Sequence, residues 1–173
     1  MDSTRILVVD DNEMNRDVLS RRLEKQGYTV VTAEDGQVAL DLLRRDPFDL
    51  ILLDIMMPRV NGYQVLENLK ANPLQRDIPI IVISAMDDLE SVVRCIELGA
   101  EDYLFKPFNP VLLRARLNAI LSKKRTRELL PTDQVNAMLE QLDTLAAEPL
   151  SPTQSGAVDA LRALVTTAGG IEG

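Results

Sequence analysis

Histidine is absent from the 173 residues, and cysteine occurs once, at Cys95. Without imidazole there is no histidine general base, no Ser-His-Asp or Cys-His pairing and little zinc chemistry. A lone thiol cannot close an internal disulfide, and Cys95 reads as a small buried or half-buried helix residue rather than a redox switch. Long apolar runs are missing too. The longest, residues 78–86, is interrupted by Pro79 and Ser84 and is far shorter than the roughly 20 residues that cross a bilayer. The opening Met-Asp-Ser-Thr-Arg has no basic region, signal core or small-residue cleavage site, so the cytoplasm is the expected location and no membrane contact is expected. No clustered basic face accompanies the formal charge of −8. That argues against a nucleic-acid partner, because neutralising phosphate supplies most of the affinity there.

What is present is one α/β pattern with an appendage. Short apolar runs at Ile6–Val9, Thr29–Ala33, Leu50–Leu53, Ile80–Ile83 and Tyr103–Phe105 alternate with longer helical patterns. The runs Leu50–Leu53 and Ile80–Ile83 show no polar alternation, as expected of parallel strands covered by helices on both faces. Gly27 and Gly99 sit where helices end, Asn109-Pro110 reads as the start of the fifth helix, and Asp87-x-x-Glu90 as a capping box opening the fourth. Right-handed crossovers then favour a doubly wound five-stranded parallel sheet of order 2-1-3-4-5, whose site lies beyond the strand ends between strands 1 and 3.

After Ser122 the character changes. Lys123, Lys124, Arg125 and Arg127 form a basic junction, followed by a stretch rich in acids. Val135, Met138, Leu142 and Leu145, then Val158, Leu161, Val165 and Ala168, repeat at helical spacing, which predicts an α-helical hairpin. The expected organisation is therefore an α/β domain over 1–122, a basic linker over 123–131 and a two-helix amphipathic tail over 132–173.

The polar residues at the strand ends carry the chemistry. Strand 1 ends in Asp10-Asp11, strand 3 in Asp54, strand 4 in Ser84 and strand 5 in Lys106-Pro107, so all converge on one edge of the sheet. Three carboxylates in one pocket repel one another unless a cation sits among them. Mg²⁺ suits such a set, since it prefers oxygen ligands and is commonly shared between carboxylates and a phosphate. A haloacid-dehalogenase-like hydrolase with Asp10 as nucleophile is disfavoured, because Asn12 stands where the second acid of Asp-x-Asp-x-Thr belongs.

Leu-Val-Val-Asp-Asp-Asn at 7–12, Asp-Ile-Met-Met-Pro-x-x-x-Gly at 54–62, Ser84-Ala85 and Tyr-Leu-Phe-Lys-Pro-Phe at 103–108 together resemble the response-regulator receiver family of two-component signalling. The resemblance implies that Asp54 is the phosphoacceptor and that Asp11 and Asp54 bind Mg²⁺ with the backbone carbonyl of Met56, with Asp10 assisting through water. It also implies that Lys106 and Ser84 contact the phosphoryl oxygens, that the Lys106–Pro107 bond is cis, and that Met56 and Met86 restrict hydrolytic water. Ser84 and Tyr103 would form the switch, the ring turning inward as the hydroxyl moves toward the phosphoryl.

With no histidine in the chain, the implied donor is a separate histidine kinase or phosphotransfer protein. The implied readout is a downstream protein or self-dimer through helix 4, strand 5, helix 5 and the tail. Asp102 and Arg116 fall where some dimerising members pair charges across that face, whereas apolar Val92 and Leu112 replace other such charges. The end of helix 5 resembles linkers that join receivers to cyclases or phosphatases. Two output readings stay open: a switch of protein contacts without a DNA-binding or enzymatic output, or the regulatory part of a larger effector with a constitutively dimerising tail.

Overall fold

The computed structural model describes residues 4–129 and, beyond them, Ala137, Leu139, Glu140, Gln141, Asp143, Asp159, Ala160 and Ala163, each helical. The rest of the expected two-helix tail lies outside the described residues. The chain divides into two units, Met1–Ile120 and Leu121–Gly173.

Five strands and five helices alternate: β1 (Arg5–Val9), α1 (Glu13–Glu24), β2 (Thr29–Ala33), α2 (Gly36–Arg45), β3 (Leu50–Leu53), α3 (Gly62–Ala71), β4 (Ile80–Ser84), α4 (Leu89–Glu97), β5 (Asp102–Phe105) and α5 (Pro110–Leu129). The strands form one parallel sheet in the order β2-β1-β3-β4-β5. This is the doubly wound α/β arrangement that the unbroken apolar runs predicted, and β3 and β4 are buried along their whole length.

Side chains of alternate strand residues point to opposite faces. Leu7, Val9, Ile51, Leu53, Ile80, Val82 and Tyr103 join Ala39, Leu40, Leu43, Val65, Leu66, Leu69 and Cys95 from α2, α3 and α4 in one core. Residues of the other parity, such as Ile6, Val8, Leu52 and Ile81, are buried as well, together with Leu19 and Leu23 of α1 and Leu113 and Leu117 of α5. Tyr28, just after α1, donates its hydroxyl to Asn118 of α5 at 3.3 Å.

Side chains close the helix starts. Asn12, Asp35, Asn61 and Asp88 each accept from a backbone N–H three residues on, satisfying donors that have no partner in the first turn. Asn61 and Gln64 form a reciprocal capping box. Helix α4 departs from the expectation by one residue: Asp88, not Asp87, is the cap. Both the amide and the hydroxyl of Ser91 donate to its carboxylate at 2.7 Å, a pair of bonds that Glu90 cannot supply. Gly27 and Gly99, where α1 and α4 end, have φ of +88° and +99°.

Candidate functional site

Backbone hydrogen bonds just beyond the strands bring the polar strand ends together. Val9 pairs with Leu53 in register, and the amide of Asp54 donates to the Val9 carbonyl at 2.9 Å, so Asp54 lies beside Asp10. Lys106 is set similarly, its amide donating to the Ser84 carbonyl at 2.9 Å. Gly62 fits because no side chain can: a Cβ there would stand 2.4 Å from the Asp54 carbonyl oxygen.

The Lys106 ammonium donates to Oδ2 of Asp10 at 2.6 Å and to Oδ2 of Asp54 at 3.0 Å. Asp10 and Asp54 are buried, whereas Asp11 is exposed. Ligand atoms of Asp10, Asp11 and Asp54 all lie within 4.8 Å of one another. Burial pushes the Asp54 carboxyl above its ordinary pKa, outweighing the hydrogen bond and charge of Lys106, which pull it down. Burial alone would lower the Lys106 ammonium, but its bonds to Asp10 and Asp54 prevail and raise it. Three carboxylates thus face one ammonium, and an all-oxygen donor set with this excess of negative charge fits a hard divalent cation.

Two further residues hold Asp10, and sequence reasoning missed both. Asn15 points its side-chain amide at the Asp10 carboxylate, 3.3 Å from Oδ2, and Arg16 donates to the Asp10 carbonyl at 2.8 Å. Their signal was available in the sequence as polar side chains in the first turn of the helix that follows the acidic pair.

Ser84 is fully buried, and its Oγ accepts weakly from the Met86 amide at 3.4 Å. Tyr103 is turned inward, 9% exposed, with its hydroxyl donating to the Met86 carbonyl at 2.7 Å. The Met56 amide lies 3.3 Å from Oδ1 of Asp54, while its side chain reaches solvent at 63% exposure. The Lys106–Pro107 peptide is cis. Cys95 is buried in the core, and burial pushes its thiol up to about 11, out of the range of a reactive thiolate.

Asp102 and Arg116 pair within the chain, at 3.1 Å. On the same three elements Leu89, Val93, Ile96, Phe105, Val111 and Leu112 leave apolar side chains exposed.

The family model "Response regulator receiver domain" matches residues 6–118, and the chain belongs to that family. It is therefore a receiver domain of two-component signalling with a CheY-like fold. It is 42% identical over 133 residues to the probable transcriptional regulator ycf27 of Cyanidium caldarium, a match covering 76% of this chain and 52% of that one. It is 38% identical over 163 residues to a probable cyclic di-GMP phosphodiesterase of Vibrio cholerae, covering 94% of this chain and 34% of that protein. Among solved structures, a CheY-like receiver domain protein from Methanospirillum hungatei superposes with a TM-score of 0.68 at 30% identity, over 72% of this chain and 98% of that one. The chain spans about half the length of the ycf27 relative and a third of the phosphodiesterase. Among the described residues, no helix is long and apolar enough to cross a membrane.

Proposed function

We propose that Asp54 accepts a phosphoryl group from a phosphohistidine on a separate histidine kinase or phosphotransfer protein. The observation that carries this reading is the meeting of Asp10, Asp54 and Lys106 within hydrogen-bond distance, with Asp11 beside them. One Asp54 oxygen attacks phosphorus, the P–N bond to the donor imidazole breaks, and an acyl phosphate forms. Lys106 follows the charge from the carboxylate to the phosphoryl oxygens, and the buried Ser84 hydroxyl supplies a further hydrogen bond to them. Asp11, Asp54 and the Met56 carbonyl would hold Mg²⁺, with Asp10 acting through water. When bound, the ion offsets the carboxylate charge and that developing on the phosphoryl oxygens. In this reading the receiver promotes the gain and loss of its own phosphoryl group.

The test is incubation with Mg²⁺ and acetyl phosphate, followed by intact mass measurement. One added phosphoryl group is expected for the wild type and none for Asp54→Ala; equal labelling of the variant overturns the reading.

For output, the apolar face on α4, β5 and α5 supports a phosphorylation-dependent contact with a second copy or a downstream protein, through that face and the tail. A second reading is favoured by the 163-residue likeness to the Vibrio cholerae phosphodiesterase, which runs past the receiver match at 6–118. In that reading the chain is the receiver and linker of a larger effector.

A further inference from the structure

Among the described residues, Arg59 is the one non-glycine residue with positive φ, at +65°. A Cβ crowds the backbone in this region, so such residues persist where their surroundings over-determine them. The surroundings here are specific. The Arg59 guanidinium donates to Oδ2 of Asp35; the Asp35 side chain is 2% exposed, and that of Arg59 is 71% exposed and lies over it from the solvent side. The other oxygen, Oδ1, is engaged as the cap of α2, accepting from the Val38 amide at 2.9 Å. At the neighbouring Gly36 a Cβ would stand 2.4 Å from the Val60 carbonyl oxygen, so the loop backbone rests directly on the first turn of α2.

The loop between β3 and α3 is thus tied at its base and at its tip. At its base the amides of Met57 and Gly62 both donate to the Ile55 carbonyl, at 3.1 and 3.0 Å. At its tip it is held by the Arg59–Asp35 ion pair. Met56 lies inside the base turn, enclosed by the Met57-to-Ile55 bond and three residues before Arg59.

We propose that Arg59 is a positioning residue: its pairing with Asp35 sets the loop so that the Met56 carbonyl is presented to the divalent cation, and thereby raises cation affinity. This rests on the site reading above. It differs from a general structural role in acting on the metal step rather than on the phosphoryl step.

The test uses the full chain with Arg59→Gly, Arg59→Lys and Asp35→Asn. Glycine keeps the left-handed backbone accessible while removing the pair. Lysine retains the charge, and asparagine at 35 retains the cap on α2 while losing the charge. Mg²⁺ affinity is read by calorimetric titration, independently of activity, and the Mg²⁺ dependence of labelling by acetyl phosphate is read beside it.

Arg59→Gly and Asp35→Asn are expected to weaken Mg²⁺ binding by up to about tenfold, the lower end of what removing a group bonded directly to a metal ligand costs. The Mg²⁺ midpoint of labelling should shift by the same factor, with the rate at saturating Mg²⁺ preserved. Arg59→Lys should bind nearly as the wild type does. Unchanged affinity in Arg59→Gly and Asp35→Asn, or a lysine variant as weak as glycine, overturns the proposal while leaving the site reading intact. A wild-type chain that neither binds Mg²⁺ nor labels overturns both.

Discussion

Lys106 Nζ stands 3.0 Å from Oδ2 of Asp54, joining side chains 52 residues apart in sequence. The same ammonium holds Asp10, so replacing it leaves two buried carboxylates without their cation. Breaking a buried pair from one side is strongly destabilising. Lys106→Ala should therefore lower Tm in Mg²⁺-free buffer by about 5–10 °C. Mg²⁺ should recover more of that loss than it adds to the wild type, and labelling should slow about tenfold or more with the loss of charge stabilisation. Calorimetry with and without Mg²⁺, and timed intact mass spectra, check both.

Asp54→Asn should act in the opposite direction on stability. Burial raises the Asp54 carboxyl above its ordinary 3.8, so its ionised form is a cost to the folded state at neutral pH. The asparagine variant should melt higher than the wild type without Mg²⁺. Because the native pKa is raised, what Asp54 contributes to stability is present below the unfolded value and lost as pH rises through the native one. The Tm gap between variant and wild type should therefore close as pH falls through that window. A gap independent of pH would contradict this origin.

Tyr103→Phe removes the bond to the Met86 carbonyl but keeps the ring in the core. The cost should be about 1 kcal/mol, read from chemical denaturation. The initial rate of Asp54 labelling should change little, since the hydroxyl touches neither Lys106 nor the three acids and reaches the site only through Ser84. Any response of self-association to phosphorylation should weaken, and a variant that labels more slowly would place the phenol in the chemistry instead.

The exposed apolar face on α4, β5 and α5 makes self-association testable by light scattering of the full chain. Beryllium trifluoride, as a phosphoryl mimic, should convert monomer to dimer, and the double variant Val93→Asp, Ile96→Asp should remain monomeric. Dimers that form without the mimic, and are lost when only residues 1–125 are kept, would favour the constitutive tail of the second reading.

Much of this was legible in the residues. Unbroken apolar runs announced β3 and β4 because strands covered on both faces have no solvent side to mark with polar residues. The start of α5 followed from Asn109, whose side chain accepts from the Val111 amide at 2.8 Å. Asp87 and Asp88 are equally good caps in sequence, and only the two hydrogen bonds from Ser91 choose Asp88 as the start of α4. The Asn61–Gln64 capping box is not marked in sequence by an apolar run beginning right after it, and it shows only as two reciprocal bonds once α3 is formed.

Which groups stand at the strand ends is a local matter of period and punctuation, readable from the residues: two acids after β1, one after β3, a hydroxyl closing β4 and a lysine after β5. The tertiary structure decided which of them touch. The register of Val9 against Leu53 brings Asp10 beside Asp54, the Lys106 amide on the Ser84 carbonyl aims the ammonium at both, and the meeting of two loops seats Arg59 on Asp35. Contacts of this kind depend on sheet order and register, which arise from packing across the whole domain, and no local spacing encodes them.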